Sequence, residues 1–265
     1  MCNTCGCSVT SGNETLAHEP SHEHGGTTAV QVLDRLLQAN NHEAEHNREH
    51  LTKHGVLAIN LMSSPGSGKT SLLEATADAL GSSLRFAVIE GDLETENDAA
   101  RIRAKGVPAY QVTTGTACHL DAHMVHHALH HLDLRELDVL FIENVGNLVC
   151  PASFDLGHHL NVTLLSATEG DDKPAKYPVM FRAADLVAVT KCDLLEVLGD
   201  FSVEKAERHI RELANAAPVV RVSTRASVGL DGWIDWLKTT LEAHRSGQHF
   251  HPSVQTDGVR MHAHG

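Results

Sequence analysis

The sequence predicts an α/β fold: a mostly parallel sheet with helices on both faces. Three observations predict it. Short aliphatic runs alternate with helical patterns along most of the chain. Apolar residues make up 42% of the sequence but aromatic residues only 4%, so the core must be built from Val, Leu, Ile and Ala, as in sheets buried on both faces. A glycine-rich turn joins one of the aliphatic runs directly to a helical segment.

Taken in order, residues 1–27 are polar and carry Gly, Ser, Thr, Glu and His with few core formers. They read as a flexible N-terminal Cys/His metal-binding tail. Residues 28–54 form a leading helix, with Val32, Leu33, Leu36 and Leu37 on one face. The segment 55–247 is the nucleotide-binding domain proper. Its expected strands are Val56–Leu61, Phe86–Glu90, Ala109–Val112, Val139–Ile142, Val162–Ser166, Leu186–Thr190 and Val219–Val222. Its expected helices are Thr70–Leu80, Glu94–Lys105, Leu120–His131, Val203–Asn215 and Leu230–Arg245. Residues 248–265 read as a disordered C-terminal tail.

Bulk properties exclude several functions. The net charge is −13 with His neutral, and an acidic surface repels nucleic-acid phosphates and anionic membranes. The N-terminus is too polar for a signal peptide, and no run of about 18 apolar residues suggests a span. The expected compartment is the cytoplasm. There the six Cys point to metal rather than to disulfides. The 21 His fall in clusters, at His18–His24, His42–His54, His119–His131 and His249–His264, and suit weak metal binding.

The run Ser63-Ser64-Pro65-Gly66-Ser67-Gly68-Lys69-Thr70 follows a strand and opens a helix, as a phosphate-binding loop must. Small residues let backbone N–H groups curl around a β-phosphate, and the helix N-terminus adds partial positive charge. Lys69 reaches the β and γ oxygens, and the Thr70 hydroxyl suits Mg²⁺. Ser63 stands where the usual pattern begins with Gly. Asp92 and Glu143 sit at strand ends, where a carboxylate holds Mg²⁺ or its waters, or orients the attacking water. The catalytic candidates are therefore Lys69, Thr70, Asp92 and Glu143.

Thr190-Lys191-Cys192-Asp193 ends another strand and resembles the Asn-Lys-x-Asp signature that reads guanine, with Thr in the Asn place. The Asp193 carboxylate accepts from guanine N1–H and its exocyclic amine, which adenine does not offer. The Lys191 stem lies over the base. Val222-Ser223-Thr224 adds backbone contacts to it. The nucleotide-binding candidates are Pro65, Gly66, Ser67, Gly68, Lys69, Thr70, Ser71, Lys191 and Asp193. The expected ligands are GTP and GDP with Mg²⁺. A kinase using ATP is disfavoured by Asp193, and a pure metal store by the intact phosphate loop.

Two metal constellations remain. Cys2-x-x-Cys5-Gly6-Cys7 packs three thiols into six residues. With the initiator Met removed, the Cys2 amine completes a tetragonal N,S set suited to Ni²⁺, while a tetrahedral Zn²⁺ site is the rival. Cys118, His119 and Cys150 form a second set beside the nucleotide-side loops. His123 is the nearest candidate for a further ligand.

Together the Cys2–Cys7 element, Asn60–Thr70, Cys118-His119, Glu143–Cys150 and Glu169-Gly170-Asp171-Asp172-Lys173-Pro174 resemble the HypB family of GTPases. The resemblance spans nearly the whole chain apart from the C-terminal tail. It implies a SIMIBI-class GTPase fold, a GTP-dependent homodimer and delivery of nickel to the large-subunit precursor of a [NiFe]-hydrogenase. It also implies cooperation with the zinc-binding maturation protein HypA. The related urease GTPase UreG shares the fold and the metal-delivery role. It lacks the N-terminal triple-Cys element and carries Cys-Pro-His where this chain has Cys118-His119.

Overall fold

The computed structural model describes residues 29–92, 96–115 and 117–252. The N-terminal cysteines Cys2, Cys5 and Cys7, and residues 253–265, lie outside them. Seven strands form one sheet: β1 Leu57–Met62, β2 Phe86–Asp92, β3 Ala109–Thr113, β4 Val139–Glu143, β5 Leu160–Ser166, β6 Leu186–Thr190 and β7 Val219–Val222. Their order is β3-β2-β4-β1-β5-β6-β7, and every pair is parallel. The helices are α1 Ala29–Lys53, α2 Lys69–Leu80, α3 Asn97–Ala104, α4 Ala122–Leu129, α5 Lys173–Lys176, α6 Pro178–Ala183, α7 Leu195–Leu198, α8 Val203–Glu212 and α9 Leu230–Arg245.

The residue alternation within β1 explains the two layers. Leu57, Ile59 and Leu61 point to one face, against Leu72, Leu73 and Leu80 of α2 and Trp233, Leu237 and Leu241 of α9. Ala58 points to the other, against Leu51 of α1 and Val125 and Leu129 of α4. β1, β4, β5 and β6 are buried along their whole length. A strand covered on both faces has no polar side, which is why these segments read as continuous aliphatic runs. In β1 the exception is Asn60, which is fully buried. Its amide donates to Asn161 Oδ1 at 3.0 Å and its oxygen accepts from Asn144 Nδ2 at 3.2 Å. This polar chain ties β5, β1 and the end of β4 together at the edge of the functional face, and it is satisfied at each link.

Several boundaries differ from the sequence expectation, each for a local reason. The helix expected over Leu120–His131 begins at Ala122, because Asp121 caps it by accepting from Met124 N at 2.8 Å. The helix expected over Val203–Asn215 ends at Glu212. Ala214 turns left-handed at φ 55°, and the Asn215 amide instead donates to the carbonyls of Phe181 and Ala184 at 2.7 and 2.8 Å. Helices α5, α6 and α7 are too short for periodicity to reveal. Near the end of the described residues, Phe250 packs against the core and stacks on His244.

Candidate functional site

All the loops that carry chemistry leave the carboxyl ends of the strands, beside the point where the sheet order turns back on itself between β1 and its neighbours. The phosphate-binding loop joins β1 to α2. Gly66 and Gly68 take φ of 74° and 94°, a region costly for any side chain, and Gly68 caps α2. Lys69 and Thr70 occupy the first turn of α2 and are buried. The Lys69 ammonium donates to Ser63 Oγ at 3.2 Å and stands 4.0 Å from Glu143 Oε1. Ser63 thus has a task that the usual Gly could not perform. It accepts from Lys69 while donating to Ser64 O at 2.7 Å, holding the ammonium at the loop.

Thr70 Oγ1 donates to Glu143 Oε1 at 2.8 Å. A hydroxyl that gives its proton to a carboxylate keeps its lone pairs outward, the orientation a cation requires. Glu143 has a second neighbour that the sequence reading passed over. Glu90 lies opposite it in the β2–β4 register. Burial first, and the Glu143 charge and hydrogen bond next, push the Glu90 carboxyl up to about 11, so at neutral pH it carries a proton. Glu90 was hidden because its role depends on β2 lying beside β4, which a pattern along the chain does not show. Glu169, after β5, accepts from Ser67 Oγ. The Oε2 atoms of Glu90, Glu143 and Glu169 are buried with no hydrogen-bond partner among the described residues. Of these, the Glu143 and Glu169 oxygens are hard donors of the kind that fit Mg²⁺, whereas the protonated Glu90 is not. Asp92 ends β2 opposite Thr113 of β3 and is half-buried.

The guanine-reading candidates adjoin the same loop. Thr190 Oγ1 donates to Ser67 O at 2.7 Å and Lys191 Nζ to Gly66 O at 2.8 Å. The Lys191 stem therefore already lies across the phosphate loop. Its backbone is left-handed at φ 56°, a strain of about 1 kcal/mol or more that such a residue carries where geometry demands it. Asp193 Oδ1 accepts from Ser223 Oγ at 2.6 Å, so the segment after β7 orients the carboxylate through a side chain, a role distinct from the backbone contacts expected of it.

Cys118, His119 and Cys150 converge, with one ligand atom from each within 4.8 Å of the others. The two Sγ atoms are 3.1 Å apart, too far for a disulfide bond, and His119 Nδ1 is 3.7 Å from Cys118 Sγ. The His119 ring is buried and stacks on Phe154 at 3.8 Å. Burial lowers its pKa to about 4, so the imidazole is neutral and its nitrogen open to a metal. Two thiols and a neutral imidazole fit a soft or borderline ion. His123 is exposed on α4 and is not part of this group.

One loop joins the two halves. It starts at Glu143, bonded to Thr70, and ends at Cys150. Between them Asn144 Oδ1 accepts from Leu120 N at 3.1 Å and Asn147 Nδ2 donates to Cys118 O at 3.2 Å. Gly146 passes so close to the phosphate loop that a Cβ there would meet Pro65 Cα at 2.8 Å. The same eight residues touch both the phosphate loop and the metal ligands.

Residues 57–221 match the family described as "CobW/HypB/UreG, nucleotide-binding domain". The chain is 50% identical over 222 residues to "Hydrogenase maturation factor HypB" of Azotobacter vinelandii, covering 84% of this chain and 72% of that protein. It is 52% identical over 226 residues to the protein of the same name in Escherichia coli (strain K12), covering 82% and 78%. Among solved structures, "Crystal structure of HypB from Helicobacter pylori in complex with nickel" superposes with a TM-score of 0.74 at 42% identity, covering 83% of this chain and 99% of that one.

Proposed function

The chain belongs to the HypB family of hydrogenase maturation factors, and we propose that it hydrolyses GTP to GDP and phosphate and uses that cycle to deliver nickel to a maturing [NiFe]-hydrogenase. The single observation that carries the coupling is the loop from Glu143 to Cys150, which contacts Thr70 and Pro65 on one side and Cys118 on the other.

In this reading the backbone N–H groups of Gly66 to Thr70 cradle the β-phosphate at the start of α2. Lys69 swings from Ser63 to the β and γ oxygens, where its charge offsets the negative charge that develops as the bond to the γ-phosphate breaks. Mg²⁺, when bound, supplies further charge neutralisation between the phosphates. Thr70 would hold it, with Glu143 orienting the Thr70 hydroxyl from behind and Asp92 receiving its waters. Asp193 accepts from guanine N1–H and the exocyclic amine while Ser223 fixes its rotamer. Adenine, with an acceptor at N1, leaves that carboxylate unpaired.

Nickel is cargo. Cys118, His119 and Cys150 hold it at the face where Val149 is 59% exposed, an apolar residue beside a ligand that suits contact with a second copy of the chain. A GTP-dependent homodimer formed there would complete the ligand shell from both protomers. Zn²⁺ suits the same donors. The Cys2, Cys5 and Cys7 tip would feed this inner site in the cytoplasm, with a HypA-like zinc protein and the hydrogenase precursor as onward partners. The described residues contain no helix long and apolar enough to cross a membrane.

The deciding measurement is a Ni²⁺ titration with GDP and with a non-hydrolysable GTP analogue, alongside a phosphate-release assay. Coupling of about 1–3 kcal/mol between the sites predicts a 5- to 150-fold difference in nickel affinity. Equal affinity in both states refutes the coupling, and absence of phosphate release refutes the hydrolysis.

A further inference from the structure

On the sheet face covered by α1 and α4, imidazoles from the two helices meet at a place the nucleotide cycle does not use. The His46 and His126 rings have centroids 5.3 Å apart. The His126 and His130 rings are 4.8 Å apart and perpendicular. Ligand atoms of Glu43, His46 and His126 lie within 4.8 Å of one another.

The hydrogen bonds fix the His126 tautomer. Asn47 Nδ2 donates to Ala122 O at 2.8 Å and to Leu156 O at 3.2 Å. Both amide protons are thereby used, and Asn47 Oδ1 faces His126 Nδ1 at 2.9 Å. Glu43 Oε1 lies 3.2 Å from the same nitrogen. Two acceptors around Nδ1 mean that Nδ1 bears the proton and Nε2 a lone pair. That lone pair faces His130 Nε2 at 3.2 Å. Two nitrogens bound to one ion at about 2.0–2.1 Å, with an angle of about 100°, stand about 3.2 Å apart. Residues four apart on a helix present such a pair on one face. A carboxylate and an amide gripping the opposite ring nitrogen are what a metal-binding imidazole has behind it.

We propose that His126 and His130 form the core of a separate surface site for a divalent transition ion, with His46 the adjacent imidazole on α1 and with Glu43 and Asn47 fixing the His126 ring from behind. The ion is one that accepts an all-imidazole set, Ni²⁺ being the probe of choice. The site also lies on the same stretch of chain as the inner cluster: α4 carries His126 and leads to His130, and Cys118 and His119 immediately precede its Asp121 cap. The proposal stands independently of GTP hydrolysis and of the cysteine ligands.

The test uses the full chain and Ni²⁺ by equilibrium dialysis, with thiolate-to-nickel charge-transfer absorption read in parallel. Imidazole ligation contributes nothing to that band, so the two kinds of site are counted separately. The wild type binds more Ni²⁺ than the band accounts for. A His126→Gln/His130→Gln double variant loses one equivalent of that excess and keeps the band. His130 is exposed, so His130→Gln alone leaves thermal stability unchanged while weakening this site roughly tenfold or more. Unchanged nickel binding in the folded His130→Gln and double variants overturns the proposal. So does a charge-transfer band that falls in step with the lost equivalent, since the nickel would then be thiolate-bound.

Discussion

Replacing Gly146 by Ala tests whether the metal loop and the phosphate loop move as one. The added Cβ would stand 2.8 Å from Pro65 Cα, 2.9 Å from Pro65 N and 3.1 Å from Pro65 Cγ. Two of these are backbone atoms that cannot rotate away. Ordinary carbon contacts begin near 3.5 Å, so one loop must retreat by about 0.7 Å. Overpacking of this kind costs about 1–3 kcal/mol. If the phosphate loop yields, GDP binding weakens by about 5- to 150-fold, and if the metal loop yields, nickel binding at Cys118 and Cys150 weakens by a similar factor. GDP affinity by calorimetry and nickel affinity by dialysis report the two separately. Asn147→Ala is the control, because the Asn147 amide donates to Cys118 O on the metal side, and it affects nickel alone. Gly146→Ala with wild-type nucleotide affinity, nickel affinity and thermal stability would show that the contact transmits nothing.

Other substitutions read other parts of the site. Lys69→Ala lowers phosphate release by about a hundredfold or more, because charge at the β and γ oxygens goes uncompensated; a single-turnover assay measures it. Asp193→Asn reduces the preference for GDP over ADP by about tenfold or more, since an amide cannot accept both guanine donors; nucleotide competition is the readout, with Ser223→Ala expected to give a smaller loss in the same direction. Glu90→Gln bears on the pH profile. The folded Glu90 value lies above the unfolded value of 4.5, so its stabilising contribution is complete below about 4.5 and is lost as pH rises toward about 11. The variant therefore gains thermal stability over the wild type at pH 8 and little at pH 4, and a constant difference across that range contradicts the assignment. His159 gives the opposite slope. Burial first, then His244 and Arg48, lower its pKa to about 3, while its Nδ1 accepts from Ala58 N at 2.9 Å. Its contribution is complete above the unfolded value of 6.5 and is lost as pH falls toward about 3, so His159→Asn, whose oxygen can replace the acceptor, reduces acid lability in urea titrations between those limits.

The parts of this protein legible in the sequence are those whose physics is local. The phosphate loop is one: the conformations at Gly66 and Gly68, and the start of a helix at Lys69, are set within eight residues. The aliphatic strands are another, because burial on both faces leaves a continuous run. Cys118-His119 and Cys150 could be paired from residue type alone, although 32 residues separate the thiols, because Cys192 is the only further thiol among residues 55–247. What escaped was set by strand order. Glu90 faces Glu143 only because β2 pairs with β4 and not with β1. Ser223 reaches Asp193 only because β7 lies beside β6. Strand ends are visible in a chain read in one dimension, but the neighbours of each end are not.

Strand order also explains why nucleotide and metal can share one loop at all. β4 enters the sheet between β2 and β1, so its carboxyl end emerges next to the phosphate loop that leaves β1. The residue at that end, Glu143, therefore meets Thr70. The chain beyond it must cross over Pro65, and only a residue without a Cβ fits there. By the time it reaches Cys150 it has passed Asn144 and Asn147, whose amides grip the segment that carries Cys118. Thr70 bonds to Glu143, which is three residues of chain from the close backbone contact at Gly146 and seven from the thiol of Cys150. The loop is tied to Thr70 at Glu143 and to Cys118 O at Asn147, and a segment so held shifts as a unit more readily than it stretches. On the proposed reading, the phosphate loop would act on the metal site through this segment, since Cys150 ends it and Asn147 of the same segment donates to Cys118 O.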